Sequence, residues 1–167
     1  MATTFVKIAT VTVGAGGASY VEFTGIANTY TDLCLKMTLR GTDGSDYGTM
    51  SINGSTSTFS SKRLFGDGST ASSASRTDNY LIGFINGTGT TSNTFSNVEC
   101  YYPNYAGSAN KSFSIDGVFE NNGTTGVQIM VAGLWSTTSA ITSLRFTHAT
   151  ANFAQYSTAT LYGISKS

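Results

Sequence analysis

Hydrophobic positions in this chain recur mainly at every second residue. In TDLCLKMTLR, Leu33, Leu35, Met37 and Leu39 alternate with Asp32, Cys34, Lys36, Thr38 and Arg40. Successive side chains of an extended backbone point to opposite faces, so this segment reads as a strand with one apolar and one polar face. A helix would scatter the same leucines around its circumference. KSFSIDGVF repeats the pattern, with Phe113, Ile115, Gly117 and Phe119 set against Ser112, Ser114, Asp116 and Val118. GVQIMVAGLW, residues 126–135, is apolar on both faces, which predicts a central strand covered on both sides.

The same reading places strands over residues 5–13, 19–24, 47–53, 58–65, 80–86, 94–102, 141–148 and 157–165. Asn53-Gly54 is a two-residue hairpin signal, because both residue types tolerate positive φ. VGAGGAS, residues 13–19, lacks the glycine spacing and following helix of a nucleotide loop and reads as a turn. GDGSTASSASR, residues 66–76, is expected to be the longest exposed loop. About ten short strands separated by Gly, Asn and Ser clusters indicate an all-β sandwich or barrel. No amphipathic helix, linker or internal repeat is evident, so residues 1–167 are taken as one domain.

Composition narrows the function classes. Hydrophobic residues make up 40% of the 167 positions, enough for a packed core. Charged residues make up only 11%, against ~25% in a typical soluble protein. Nine basic and nine acidic side chains cancel. Such a surface has no clustered cations for DNA or RNA. A net charge near zero favours association, which points to life in an assembly. No apolar run approaches the ~18 residues of a membrane span. No signal-peptide pattern opens the sequence, so the Asn-x-Ser/Thr sites at Asn53, Asn86, Asn110 and Asn122 read as turns.

Candidate chemistry is sparse. His148 is the only histidine; it falls at a strand end, and no Gly-x-Ser-x-Gly elbow accompanies it. A glycosidase needs two facing carboxylates; Glu99, Asp116 and Glu120 lie on adjacent strands, but on a polar face that reads as solvated surface. Asp43 and Asp46 in GTDGSDYG lack the acidic density of a calcium loop. Two cysteines and one histidine are too few for a closed zinc site. No catalytic residue, metal or cofactor is therefore expected. Cys34 and Cys100 read as free thiols, with their pairing left open.

Aromatic contact is the stronger option. In ECYYPNYAGSANK, alternation turns Val98, Cys100 and Tyr102 inward and Glu99 and Tyr101 outward. Pro103 must end the strand or mark an edge. Tyr101 and Tyr105 are then the expected protein- or glycan-contact residues.

Several segments together carry a resemblance: RLFGDGST, YYPNYAGSANKSFSIDGVFENNGTTG, AGLWSTTSAITSLRF and the terminal ATLYGIS. Across essentially the whole chain, the sequence resembles short virion structural proteins of tailed bacteriophages. The resemblance implies an antiparallel jelly-roll-like β-sandwich, here of about 8–10 strands with little or no helix, on the outside of a virion and usually trimeric. It implies a non-enzymatic capsid decoration (cement) protein bound to the major capsid protein or other virion subunits. The alternative is a receptor-binding tip or fibre-head module of a phage tail that binds host surface glycans. Residues 1–4 would serve as an N-terminal contact arm.

Overall fold

Alternating burial organises the architecture. Leu33, Leu35, Met37 and Leu39 all point into the core from one strand, while Lys36 and Thr38 between them are exposed. The structure is a computed structural model and describes residues 4–44, 46–82, 85–120 and 126–165. The described residues form twelve strands: β1 (Phe5–Thr12), β2 (Tyr20–Phe23), β3 (Asp32–Leu39), β4 (Tyr47–Ile52), β5 (Phe59–Gly66), β6 (Ala71–Arg76), β7 (Tyr80–Ile82), β8 (Ser96–Tyr102), β9 (Lys111–Glu120), β10 (Gly126–Trp135), β11 (Leu144–His148) and β12 (Thr158–Ile164). No helix occurs among the described residues.

The strands form two sheets, ordered β1-β12-β3-β8-β9-β10-β5-β6 and β2-β11-β4-β7. Every named strand pair is antiparallel. The chain crosses between the sheets after each of the first four strands, and again between β6 and β7, β7 and β8, β10 and β11, and β11 and β12. The quartets β1-β12-β3-β8 and β2-β11-β4-β7 are the double-sheet frame of a jelly roll. Strands β9, β10, β5 and β6 widen one of its sheets. The inner faces meet in one core, with Val21, Phe23, Met50, Ile52, Leu144 and Phe146 from the small sheet packed with large-sheet side chains such as Leu35, Cys100, Ile115 and Leu161.

Two expectations are corrected. Part of the expected loop 66–76 is strand β6, paired with β5 from Ser61↔Arg76 to Gly66↔Ala71. Asp67 builds the turn between them, its Oδ1 accepting from the Ser69 and Thr70 N–H groups at 2.9 and 2.7 Å. Strand β10 lies inside its sheet but is covered on one face only: Ile129 and Val131 are buried, whereas Met130 between them is 52% exposed. The hairpin signal is realised. Asn53 and Gly54 have φ of 52° and 74°, and Ile52 pairs with Ser55 across them. The expected strand 80–86 appears as β7; residues 83–84 fall outside the described ones, and Asn86 forms a parallel bridge to Arg40. The expected arm falls mostly on residues 1–3, also outside them, as does the Asn122 site. Thr4 accepts a hydrogen bond from the Ser165 N–H at 3.0 Å.

Candidate functional site

The corner after β8 draws its shape from side chains that reach back to the backbone. Strand β8 ends at Tyr102, immediately before Pro103, as the missing N–H requires. Tyr101 donates its hydroxyl to Asp32 Oδ2 at 2.6 Å, and Asp32 Oδ1 accepts from the Asn104 N–H at 2.7 Å. The Asp32 carboxylate, then burial, push the Tyr101 phenol up to about 12. Tyr105, expected on a contact surface, is 0% exposed and donates its hydroxyl to the Ala27 carbonyl. The turn carries its ring into the core while the hydroxyl meets a loop carbonyl, the usual solution for a buried tyrosine. Of the two expected contact tyrosines, only Tyr101 keeps an exposed surface, and only in part.

Lys111 closes the same loop and went unnoticed in the sequence. It is buried, and its ammonium donates to the carbonyls of Gly107, Ala109 and Thr138. Burial lowers its pKa. Three carbonyls match the three N–H groups of a lysine, so the charge is solvated by backbone.

His148 is 3% exposed at the end of β11. Its Nδ1 accepts from the Thr150 and Ala151 N–H groups at 3.4 and 3.1 Å, which assigns the proton to Nε2. Nε2 lies 3.5 Å from Asp43 Oδ1, and Thr150 Oγ1 donates to Asp43 Oδ2 at 2.6 Å. A general base needs its lone pair aimed at a nucleophile's O–H; here it is aimed at two backbone amides. The cluster ties the 41–44 loop to the 149–153 loop. Gly41 backs directly onto the imidazole, leaving no room for a Cβ. No group of three metal-ligating side chains occurs among the described residues.

Two outer faces remain for contact. On the small sheet, Tyr20, Thr147, Thr49 and Tyr80 lie in one cross-strand row. Tyr20, Tyr47 and Tyr80 are each 41–43% exposed. The Arg145 guanidinium sits 4.2 Å over the Tyr20 ring and binds Glu22 at 2.9 Å; Arg76 sits 5.5 Å over Tyr80. Sequence reasoning missed this trio because its members come from strands far apart in the chain. Their alternation with Val21, Gly48 and the rest of the core was the available signal.

On the large sheet, one register row runs Thr160–Lys36–Glu99–Asp116–Met130–Leu64. Glu99 and Asp116 are thus direct neighbours, as their strands suggested, and Glu120 is exposed at the far end of β9. Glu99 is bound to Lys36 at 2.7 Å. Beside this row lies a groove of about 580 Å³, lined among others by Lys62, Leu64, Tyr101, Asp116, Met130 and Ala132. Cys34 and Cys100 are both free and buried. Cys100 faces the core, opposite Leu35, whereas Cys34 faces outward, flanked by Tyr101 and Tyr162.

No helix among the described residues is long and apolar enough to cross a membrane. No protein-family model, curated protein or solved structure matches this chain.

Proposed function

We propose that this chain is a structural protein of a tailed-bacteriophage virion: a capsid decoration protein, acting as a homotrimer, that binds the outer shell and stabilises the head. The observation that carries the reading is the face bearing Tyr20, Tyr47 and Tyr80, three exposed rings held on strands of one sheet. Tyrosine supplies large, stiff contact area and is enriched among residues that dominate interface energies. With charge this sparse, such rings and backbone contacts carry the binding, with ion pairs secondary. Connections pinned from within support the same role. Arg40 holds the 90–94 segment through the Thr91 and Thr94 carbonyls at 3.0 and 2.8 Å, Asn53 accepts from the Thr142 and Ser143 N–H groups, and Lys111 organises its own loop. Binding the assembled shell and not its separated subunits stabilises the shell by mass action. Gel densitometry of purified particles is the test. Hundreds of copies per particle, and heads that rupture more readily without the protein, are expected; a handful of copies sinks the reading.

The second reading is a receptor-binding tip at a virion appendage. Threonine hydroxyls between two exposed rings favour it, because sugars stack on rings and hydrogen-bond beside them. It predicts that Tyr20→Ala and Tyr80→Ala abolish adsorption to the host while leaving head stability unchanged.

A further inference from the structure

We infer that the outer face of the large sheet across β8, β9, β10 and β5 is where two copies of this chain meet. The strip is apolar at its centre: Leu64 is 60% and Met130 52% exposed, and Val118 and Ala132 join them. Leu64 and Met130 are register partners on β5 and β10, so they form one continuous ridge beside the groove. Scattered single apolar residues on a surface are ordinary. Four on the outer face of three adjacent strands, β9, β10 and β5, next to a groove of about 580 Å³, are not.

The charges bordering the strip name the occupant. On one side stands Asp116, with no hydrogen-bond or ion-pair partner among the described residues. On the other stands Lys62, whose ammonium donates to the Ser75 hydroxyl at 2.6 Å and has no carboxylate partner among those residues. A uniformly acidic or basic partner would satisfy one border and repel the other. A second copy brings the same strip with both signs, so Lys62 of one copy can reach Asp116 of the next while Met130 and Leu64 interdigitate.

The area is sufficient. Strands β9 and β10 have 10 residues each. With β8 and β5 at 7 and 8 residues, ~3.3 Å per residue and ~4.8 Å between strands, the four-strand strip covers roughly 29 by 19 Å. That is ~550 Å² per partner before side-chain relief, towards the low end of the range for a specific interface. Lys36 and Glu99, already paired with each other, form a polar rim.

Nothing in this inference depends on a virion role, and the test uses the purified full chain. Sedimentation equilibrium should show an oligomer at tens of micromolar. Met130→Lys should yield monomer. Asp116→Lys, which sets like charges against each other, should weaken association at least ~10-fold, and the double swap Asp116→Lys with Lys62→Asp should restore it. All these side chains point out of the fold, so far-UV CD should remain that of the wild type, and the melting temperature should fall only by the linkage lost with association. A monomeric wild type overturns the inference, as does an oligomer whose mass survives both Met130→Lys and Asp116→Lys. Failure of the double swap to restore association overturns it as well.

Discussion

The Tyr101 hydroxyl and the Asp32 carboxylate lie 2.6 Å apart, joining the end of β8 to the start of β3. With the Asn104 N–H on its other oxygen, this one carboxylate closes the corner that Pro103 opens. Asp32→Ala should therefore cost about 2 kcal/mol in urea unfolding, from two lost charge-assisted bonds. The phenol itself provides a sharper readout. Its folded pKa, about 12, lies above the ordinary phenol value of 10.0. Its stabilisation is thus complete below pH 10 and lost as pH rises towards 12. Absorbance titration of the wild type should show a tyrosine ionising near 12 that moves towards 10 in Asp32→Ala.

Lys111 makes the next prediction. Lys111→Met keeps the apolar stem but leaves three inward carbonyls, those of Gly107, Ala109 and Thr138, without their donor. Each buried orphan is expensive, so a loss of about 3 kcal/mol is expected in denaturant unfolding. A change below about 0.5 kcal/mol would mean that the ammonium does not organise this loop.

His148 sets an acid limit. Burial lowers its pKa below the ordinary imidazole value of 6.5, with Asp43 pulling the other way. Below pH 6.5 the unfolded chain therefore takes up the proton first. Stability falls with decreasing pH, by at most ~1.4 kcal/mol per unit. Protonating Nδ1 also sets an N–H against the Thr150 and Ala151 donors. The melting temperature of the wild type should drop more steeply between pH 7 and 5 than that of His148→Gln. Gly41→Ala should destabilise at every pH, because its methyl meets the imidazole.

The two cysteines should never pair. Cys34 and Cys100 lie on adjacent strands, but one faces out of the sheet and the other into the core. Burial raises the Cys34 thiol to about 11 and drives Cys100 higher still, so neither is a ready thiolate. Iodoacetamide should label neither in the native protein and both in guanidinium. A disulfide seen by non-reducing mass spectrometry of the folded chain would contradict this register.

Much of the fold was legible because a strand writes its burial into alternation. The runs from Leu33 to Leu39 and from Phe113 to Phe119, and the Asn53-Gly54 turn, announce themselves. Strand β6 does not, because ASSASR carries no apolar face; pairing with β5 makes it a strand. Met130 misleads for the opposite reason, since an apolar residue on an outer face looks like core until the sheet shows that nothing covers it. Of the candidate contact residues, Tyr101 could be placed by alternation within its strand. Tyr105 could not, because it lies past the proline, where period-two reasoning stops.

By itself the sequence determined an all-β chain with particular inward residues, a charge-poor surface and a hairpin at Asn53-Gly54, since these are local in origin. Only the tertiary structure decided what long-range register decides: that Tyr105 and Lys111 are buried and that Asp43 meets His148. It also set Tyr20, Tyr47 and Tyr80 on one face and Asp116 and Lys62 on either side of an apolar strip. Each of those relations joins residues far apart in the chain, and no period in the sequence encodes which strand will lie beside which.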